Sequence, residues 1–365
     1  MKNLTGELQD LAKELERQKQ NKYDVVVSSD NLIAVKDRNQ IKMNVTFTDG
    51  KGNPVLKQHD LTDWAHVQVS EKTGIPMRYY RRMMDEGKID LLANNINTWM
   101  PNKERRFVRV LDGRIRALLS DGYYPIDNHD VLFSTLEEVK RIKQDRNLDI
   151  KVQQARVTDT KMYVKFTSPE LHDEIMKFDD GRTEPVQGGI IISNSEVGNG
   201  AFSVSPFINV LVCSNGLVSD RALRRVHVGR KLDSGIINWS EDTRKLEDAT
   251  LFSKIKDMVN QTFNPDVFHK WVDEINGIAT TEIPKPTVSV DNLIAHFEMP
   301  KSKKDDLLNE FTSNAVEAGA TQWGLSMAVT RLAQDETNYE EQVRMEEIGA
   351  KILDKKLTPV LLKED

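Results

Sequence analysis

The chain has 365 residues, long enough for a large core and two domains. Its 51 basic and 57 acidic side chains leave a net charge of −6. That excludes a simple polycation coating nucleic acid by bulk attraction, though not a local basic groove.

A single cysteine excludes an intrachain disulfide framework and a cysteine-based zinc site, and fits a reducing compartment. No stretch approaches the roughly 18 consecutive apolar residues of a membrane span. The charged start, MKNLTGELQDLAKELERQKQ, lacks the apolar core of a signal peptide. The expectation is a soluble, cytoplasmic protein.

In chain order, Leu4 to Gln20 reads as an amphipathic helix with Leu4, Leu8, Leu11 and Leu15 on one stripe. A stripe that narrow calls for a neighbouring element or a second subunit. YDVVVSSDNLIAVKD and MNVTFTDGKGNPVLKQ carry short β runs punctuated by Asp49-Gly50 and Asn53-Pro54 turns. Thr62 caps a helix ending near Gly74, Pro76 opens a second through Met84, and IDLLANNINTWM gives a third. Val67 to Met83 thus has a helix-turn-helix pattern, with Arg78, Arg81 and Arg82 near one side of its second helix.

RRFVRVLDGRIRALLS follows, and Asp112-Gly113 predicts a two-residue hairpin turn. A regular register sets Arg109 against Arg116 and Phe107 against Leu118. Val108, Val110, Ile115 and Ala117 then form a core face, and Arg109, Arg114 and Arg116 share the other. Like charges so placed need an anionic cover: a phosphate backbone, or carboxylates from elsewhere in the fold.

QARVTDTKMYVKF predicts a hairpin about Thr158 to Thr160. Gly188 to Asn194 and Phe202 to Cys213 read as strands joined by SEVGNGA, with Pro206 marking a bulge or a switch in pairing. The loop Asn194 to Gly200 lacks the endings of known phosphate loops, so it reads first as a plain hairpin loop. Cys213 reads as a core residue; His227 is the nearest histidine, and nothing in the spacing joins them. DRALRRVHVGRK concentrates Arg221, Arg224, Arg225, Arg230 and Lys231 at helical spacing, a second basic track or a solvated face. From Asn238 onward the pattern is helical, broken at Pro284-Pro286.

The fold class expected is α+β. An antiparallel or mixed sheet packs with helices in the first two-thirds, and the last third is helical. Three regions follow: residues 1–60, an α+β core over 61–235 carrying the arginine hairpin, and a helical region over 236–365. The histidines show no metal-ligand spacing, and the polar cluster at Asp127 to Asp130 reads as a helix start with Asn128 as cap. No metal, cofactor or reaction is indicated.

LTDWAHVQVSEKTGIPMRYYRRM, NINTWM, RVLDGRIRALLSDGYYPIDNHDVL, NSEVGNG, CSNGL, RRVHVG and QWGLSMAVTRLAQ occur in that order. The series, from about Leu61 to Ala333, resembles the phage- and plasmid-borne family catalogued as domain of unknown function 932. The resemblance implies a setting among mobile-element genes for DNA processing or defence evasion, and brings no catalytic residues. Setting and residues together lead to an oligomeric protein that binds or anneals single-stranded DNA in recombination. Arg109, Arg114 and Arg116 would meet phosphate, and Phe107 and Tyr123 would stack bases. Arg221, Arg224, Arg225, Arg230 and Lys231 would form a second track. Two alternatives stand beside it: a duplex reader using Arg78, Arg81 and Arg82, and an interaction factor whose arginine face meets an acidic host protein.

Overall fold

Short alternating apolar runs between tight turns build two sheets, and apolar stripes at helical spacing cover them. The computed structural model describes residues 4–6, 8–177, 183–211, 215–219, 223–225 and 241–363. The fold is α+β with a helical C-terminal third, as the pattern predicts.

The chain opens with β1 (Leu4–Gly6) and α1 (Leu8–Asn21). Leu4 therefore lies in a strand rather than on the helix stripe. Leu11 and Leu15 are buried in the main core, where α1 packs on later elements of its own chain. Next come β2 (Lys22–Ser28), β3 (Leu32–Asp37), β4 (Gln40–Thr48) and β5 (Pro54–Leu61). The Asp49 carboxylate ties the β4–β5 turn by accepting from the Lys51 and Asn53 amides at 2.8 and 2.9 Å.

Three helices follow: α2 (Asp63–Thr73), α3 (Met77–Asp85) and α4 (Ile89–Trp99). Thr62 caps α2, its hydroxyl accepting from the Ala65 amide at 3.2 Å, and Gly74 closes the helix at φ 66°. The hairpin is β6 (Arg105–Leu111) and β7 (Arg114–Ser120). These strands form one sheet in the order β2-β6-β7-β5-β4-β3, antiparallel except for β5 and β7. The sheet therefore spans the boundary expected at residue 60. Its inner face and the three helices share a core that includes Val108, Ile115, Tyr80, Met83 and Ile96. Asn97 of α4 covers the β3 edge, donating to the Ala34 carbonyl at 2.8 Å and accepting from its amide at 2.7 Å.

The second sheet is built from β8 (Lys151–Val157), β9 (Met162–Lys177), β10 (Thr183–Asn194), β11 (Phe202–Val210), β12 (Asn215–Val218) and β13 (Leu223–Arg225), with β1 on its far edge. The β8–β9 hairpin turns at Thr158 to Lys161, as expected. The β10–β11 ladder runs unbroken from Val186 opposite Val210 to Ser193 opposite Ser203. Pro206 lies where the other edge of β11 changes partner, from β12 at Phe207 to β13 at Val204. A residue without an N–H sits in that gap at no cost to either ladder.

Helix α5 (Asn128–Arg146) links the two sheets. The C-terminal third comprises α6 (Glu241–Thr262), α7 (Pro265–Ala279), α8 (Pro286–His296), α9 (Lys304–Ala318), α10 (Gln322–Gln334), α11 (Tyr339–Ile352) and α12 (Thr358–Leu361). A buried ion pair joins α11 to the second sheet, with Lys165 Nζ 2.8 Å from both Glu346 oxygens. Among the described residues no helix is long and apolar enough to cross a membrane.

Candidate nucleic-acid interface

The arginine hairpin forms where predicted, but its register contains a bulge. Leu111 faces Arg114 and Val110 faces Ile115; beyond them Arg109 faces Ala117 and Phe107 faces Leu119. Arg116 is the extra residue, so the strand's alternation shifts by one beyond it. Leu118 consequently joins the core behind the sheet. Ala117 and Leu119 turn to the other face and pack with Val197, Trp64, Phe107 and Tyr123.

That face is not a wet groove. Arg109 is 1% exposed and Arg116 3%. The cover is carboxylate, the second of the two outcomes the charge pattern allows. Arg109 donates to both Asp24 oxygens at 3.0 and 2.9 Å, to Asp127 at 2.8 Å and to the Glu196 carbonyl at 2.9 Å. Arg116 donates to the Glu196 carboxylate. Lys22 Nζ lies 2.6 Å from Asp127 and 3.7 Å from Glu196.

Burial alone would raise the carboxyl of Glu196; Arg116 and Arg109 outweigh it and hold that group below its ordinary range. Burial would likewise raise Asp127, and Arg109 and Lys22 hold it well below the usual carboxylate range. Burial also opposes the charge on Arg109, and Glu196, Asp127 and Asp24 more than restore it. As phosphate contacts, Arg109 and Arg116 are corrected by this geometry: both guanidinium groups are buried and face carboxylates inside the protein.

Glu196 comes from the SEVGNG loop, which is neither a phosphate cradle nor a free turn. Asn194, Ser195, Glu196 and Val197 are all buried. Trp64 and Gln68 donate to the Val197 carbonyl at 2.9 and 2.8 Å, and the Tyr123 hydroxyl donates to the Ser195 carbonyl at 3.0 Å. The Glu196 carboxylate accepts from the Asn128 amide at 2.7 Å, capping α5 from a distant part of the chain. The cap position itself is Asp127, one residue before the Asn128 expected. Glu196 is the residue that sequence reasoning missed. Its signal was a carboxylate in a glycine-rich loop of a chain that also carries an unmatched arginine pair.

The other expected site residues divide sharply. Arg114 is half-buried and donates to the Leu61 carbonyl at 3.3 Å. Phe107 and Tyr123 are half-buried and stack on each other at 6.3 Å, so their faces are used internally. Arg224 and Arg225 lie on β13, paired with Ser203 and Phe202, so this stretch is a strand rather than a helix. Arg221, Arg230, Lys231, Cys213 and His227 lie outside the described residues.

Arg78, Arg81 and Arg82 are all exposed on α3. Arg82 pairs with Glu86 at 2.8 Å; Arg78 and Arg81 make no ion pair among the described residues. Together with Met77, Asp85 and Glu86 they line a shallow surface depression of about 570 Å³. The α2 and α3 helices meet through the Gly74-Ile75-Pro76 turn, pinned by the Ser70 hydroxyl donating to the Ile75 carbonyl at 2.6 Å. Beneath them the His66 ring contacts the Tyr80 hydroxyl at 2.9 Å, and burial lowers His66 to about 4. The sequence-level helix-turn-helix is thus a formed two-helix unit that presents three arginines to solvent.

Comparison of the chain with models of known protein families, with curated proteins and with solved structures finds no match.

Proposed function

We propose that this protein handles DNA for a mobile genetic element and holds the phosphate backbone on the arginine face of α3. The observation that carries the reading is the contrast between two arginine sets. Arg109 and Arg116 are consumed by Asp24, Asp127 and Glu196, whereas Arg78 and Arg81 stand on an exposed helix without carboxylate partners. Arginine's fixed fork of donors matches phosphate oxygens, and its charge is not lost at any working pH. An exposed cluster in a chain of net charge −6 supports a local, directed contact rather than general attraction. The setting rests on the ordered phrases that resemble the phage and plasmid family.

The test is binding of a labelled oligonucleotide at low salt by the wild type and by Arg78→Gln/Arg81→Gln/Arg82→Gln. Because the three side chains are exposed, the variant should melt within a degree or two of the wild type while its affinity drops at least ten-fold. Equal affinities would refute the assignment. No binding by either protein would move the α3 face to an acidic protein partner.

A further inference from the structure

Three side chains on the described surface expose large aromatic rings: Tyr79 at 45%, Trp99 at 63% and Phe133 at 43%. Two of them belong to α3 and α4. A tryptophan so exposed sheds little apolar surface on folding, and such a ring commonly serves a contact made later.

The placement of the two rings is set by the helix pair. The α3 helix ends in a glycine-closed turn, with Gly87 at φ 67° and the Lys88 amide donating to the Met83 carbonyl at 2.8 Å. Asn95 of α4 then reaches the Met83 sulfur at 3.5 Å, so α4 packs on the last turn of α3. Tyr79 is one helical turn before Met83, and Trp99 is one turn after Asn95. Each ring therefore lies one turn from the Met83–Asn95 contact, along its own helix away from the connecting turn. Packed helix axes lie about 8–10 Å apart.

Charged groups of both signs lie on α3. The acidic end of α3, Asp85 and Glu86, lies at the turn, where Glu86 takes up Arg82. Arg78 and Arg81 lie on the half of α3 that carries Tyr79. The half of α3 away from the turn thus carries Arg78 and Arg81, which make no ion pair among the described residues, beside the exposed Tyr79, and Trp99 is exposed at the far end of α4. A polyanion whose units carry planar rings with free faces matches that surface; duplex DNA keeps those faces stacked inside.

We propose that this surface of the α3–α4 pair binds single-stranded nucleic acid, with bases stacked on Trp99 and Tyr79 and phosphates on Arg78 and Arg81. The inference rests on the α3 reading given above and names the strand form it takes. It returns the single-strand expectation to the molecule on different residues from the hairpin.

The experiment titrates full-length protein with three probes of equal length: oligo-dT, its abasic counterpart with the same phosphates, and a duplex. Wild type should bind oligo-dT most tightly. Trp99→Ala should lose about ten-fold on oligo-dT and change little on the abasic strand or the duplex. With Trp99→Phe affinity should be largely restored, and wild-type tryptophan emission should quench with oligo-dT more than with the abasic strand. Arg78→Gln/Arg81→Gln should weaken binding to all three probes. Arginine-dependent binding that ignores Trp99→Ala would overturn the stacking proposal and spare the α3 reading. Arginine-independent binding would overturn both. Loss of a dimer in Trp99→Ala by light scattering, with oligo-dT affinity unchanged, would assign the ring to a second copy and also overturn it.

Discussion

Whether an arginine binds a ligand or supports the fold depends on what the fold places opposite it. Arg116 and Glu196 are both nearly fully buried, and each is the other's main compensation for leaving water. Removing one partner strands a buried charge, so Glu196→Gln or Arg116→Met should cost about 3–5 kcal/mol. Urea unfolding reads this directly, and a loss below about 1 kcal/mol would show that the junction is wet. Gly189 is constrained differently, because a methyl there would overlap the Phe166 carbonyl across the β9–β10 ladder.

The same residues set a pH dependence. Asp127 and Glu196 are depressed in the fold, so their stabilisation is complete above the usual carboxylate range and is lost as pH falls through their lower folded values. His66 is also depressed, from 6.5 to about 4, so folding disfavours its charged form. Stability should be flat between about pH 7 and pH 9, begin to fall as pH drops below 6.5, and fall further below pH 4. In thermal melts His66→Gln should remove the first decline and leave the second. A profile unchanged by His66→Gln would contradict the buried-neutral reading of that ring.

Among the elements, helices were the most legible. Thr62, Gly74, Pro76 and Pro286 mark ends that the structure keeps, because caps and prolines act locally. The hairpin was legible in its turn and not in its register. Asp112-Gly113 fixes the turn, with Asp112 at φ 50° and Gly113 at φ 74°, but the bulge at Arg116 answers to Glu196, 80 residues away. No pattern within the hairpin contains that information. The SEVGNG loop joins β10 and β11 as a hairpin, as expected, but its burial was not legible for the same reason, since it is imposed by Trp64, Gln68 and Tyr123. The edge of β3 gives a prediction at this scale. Asn97→Ala removes both bonds to Ala34 and should cost about 1–3 kcal/mol, visible as faster amide exchange at Ala34. Unchanged exchange would mean that the edge is protected by something else.

On the scale of the whole molecule, two buried ionic junctions hold the parts together. One joins the first sheet to the β10–β11 loop through Lys22, Arg109, Arg116, Asp127 and Glu196. The other holds α11 to the second sheet through Lys165 and Glu346, beside Tyr339, whose hydroxyl donates to Gln154 at 2.6 Å. With these charges committed inside, the α3–α4 surface remains a basic and aromatic feature facing outward. The measurement that bears most directly on this division is the salt dependence of oligonucleotide affinity for wild type and for Arg78→Gln/Arg81→Gln/Arg82→Gln. With Arg82 held by Glu86, the two lost phosphate contacts of Arg78 and Arg81 should reduce the slope of log K against log salt by about 1.4 on a single strand or about 1.8 on a duplex. A slope that stays at the wild-type value would contradict the account, because the binding charge would then lie elsewhere on the protein.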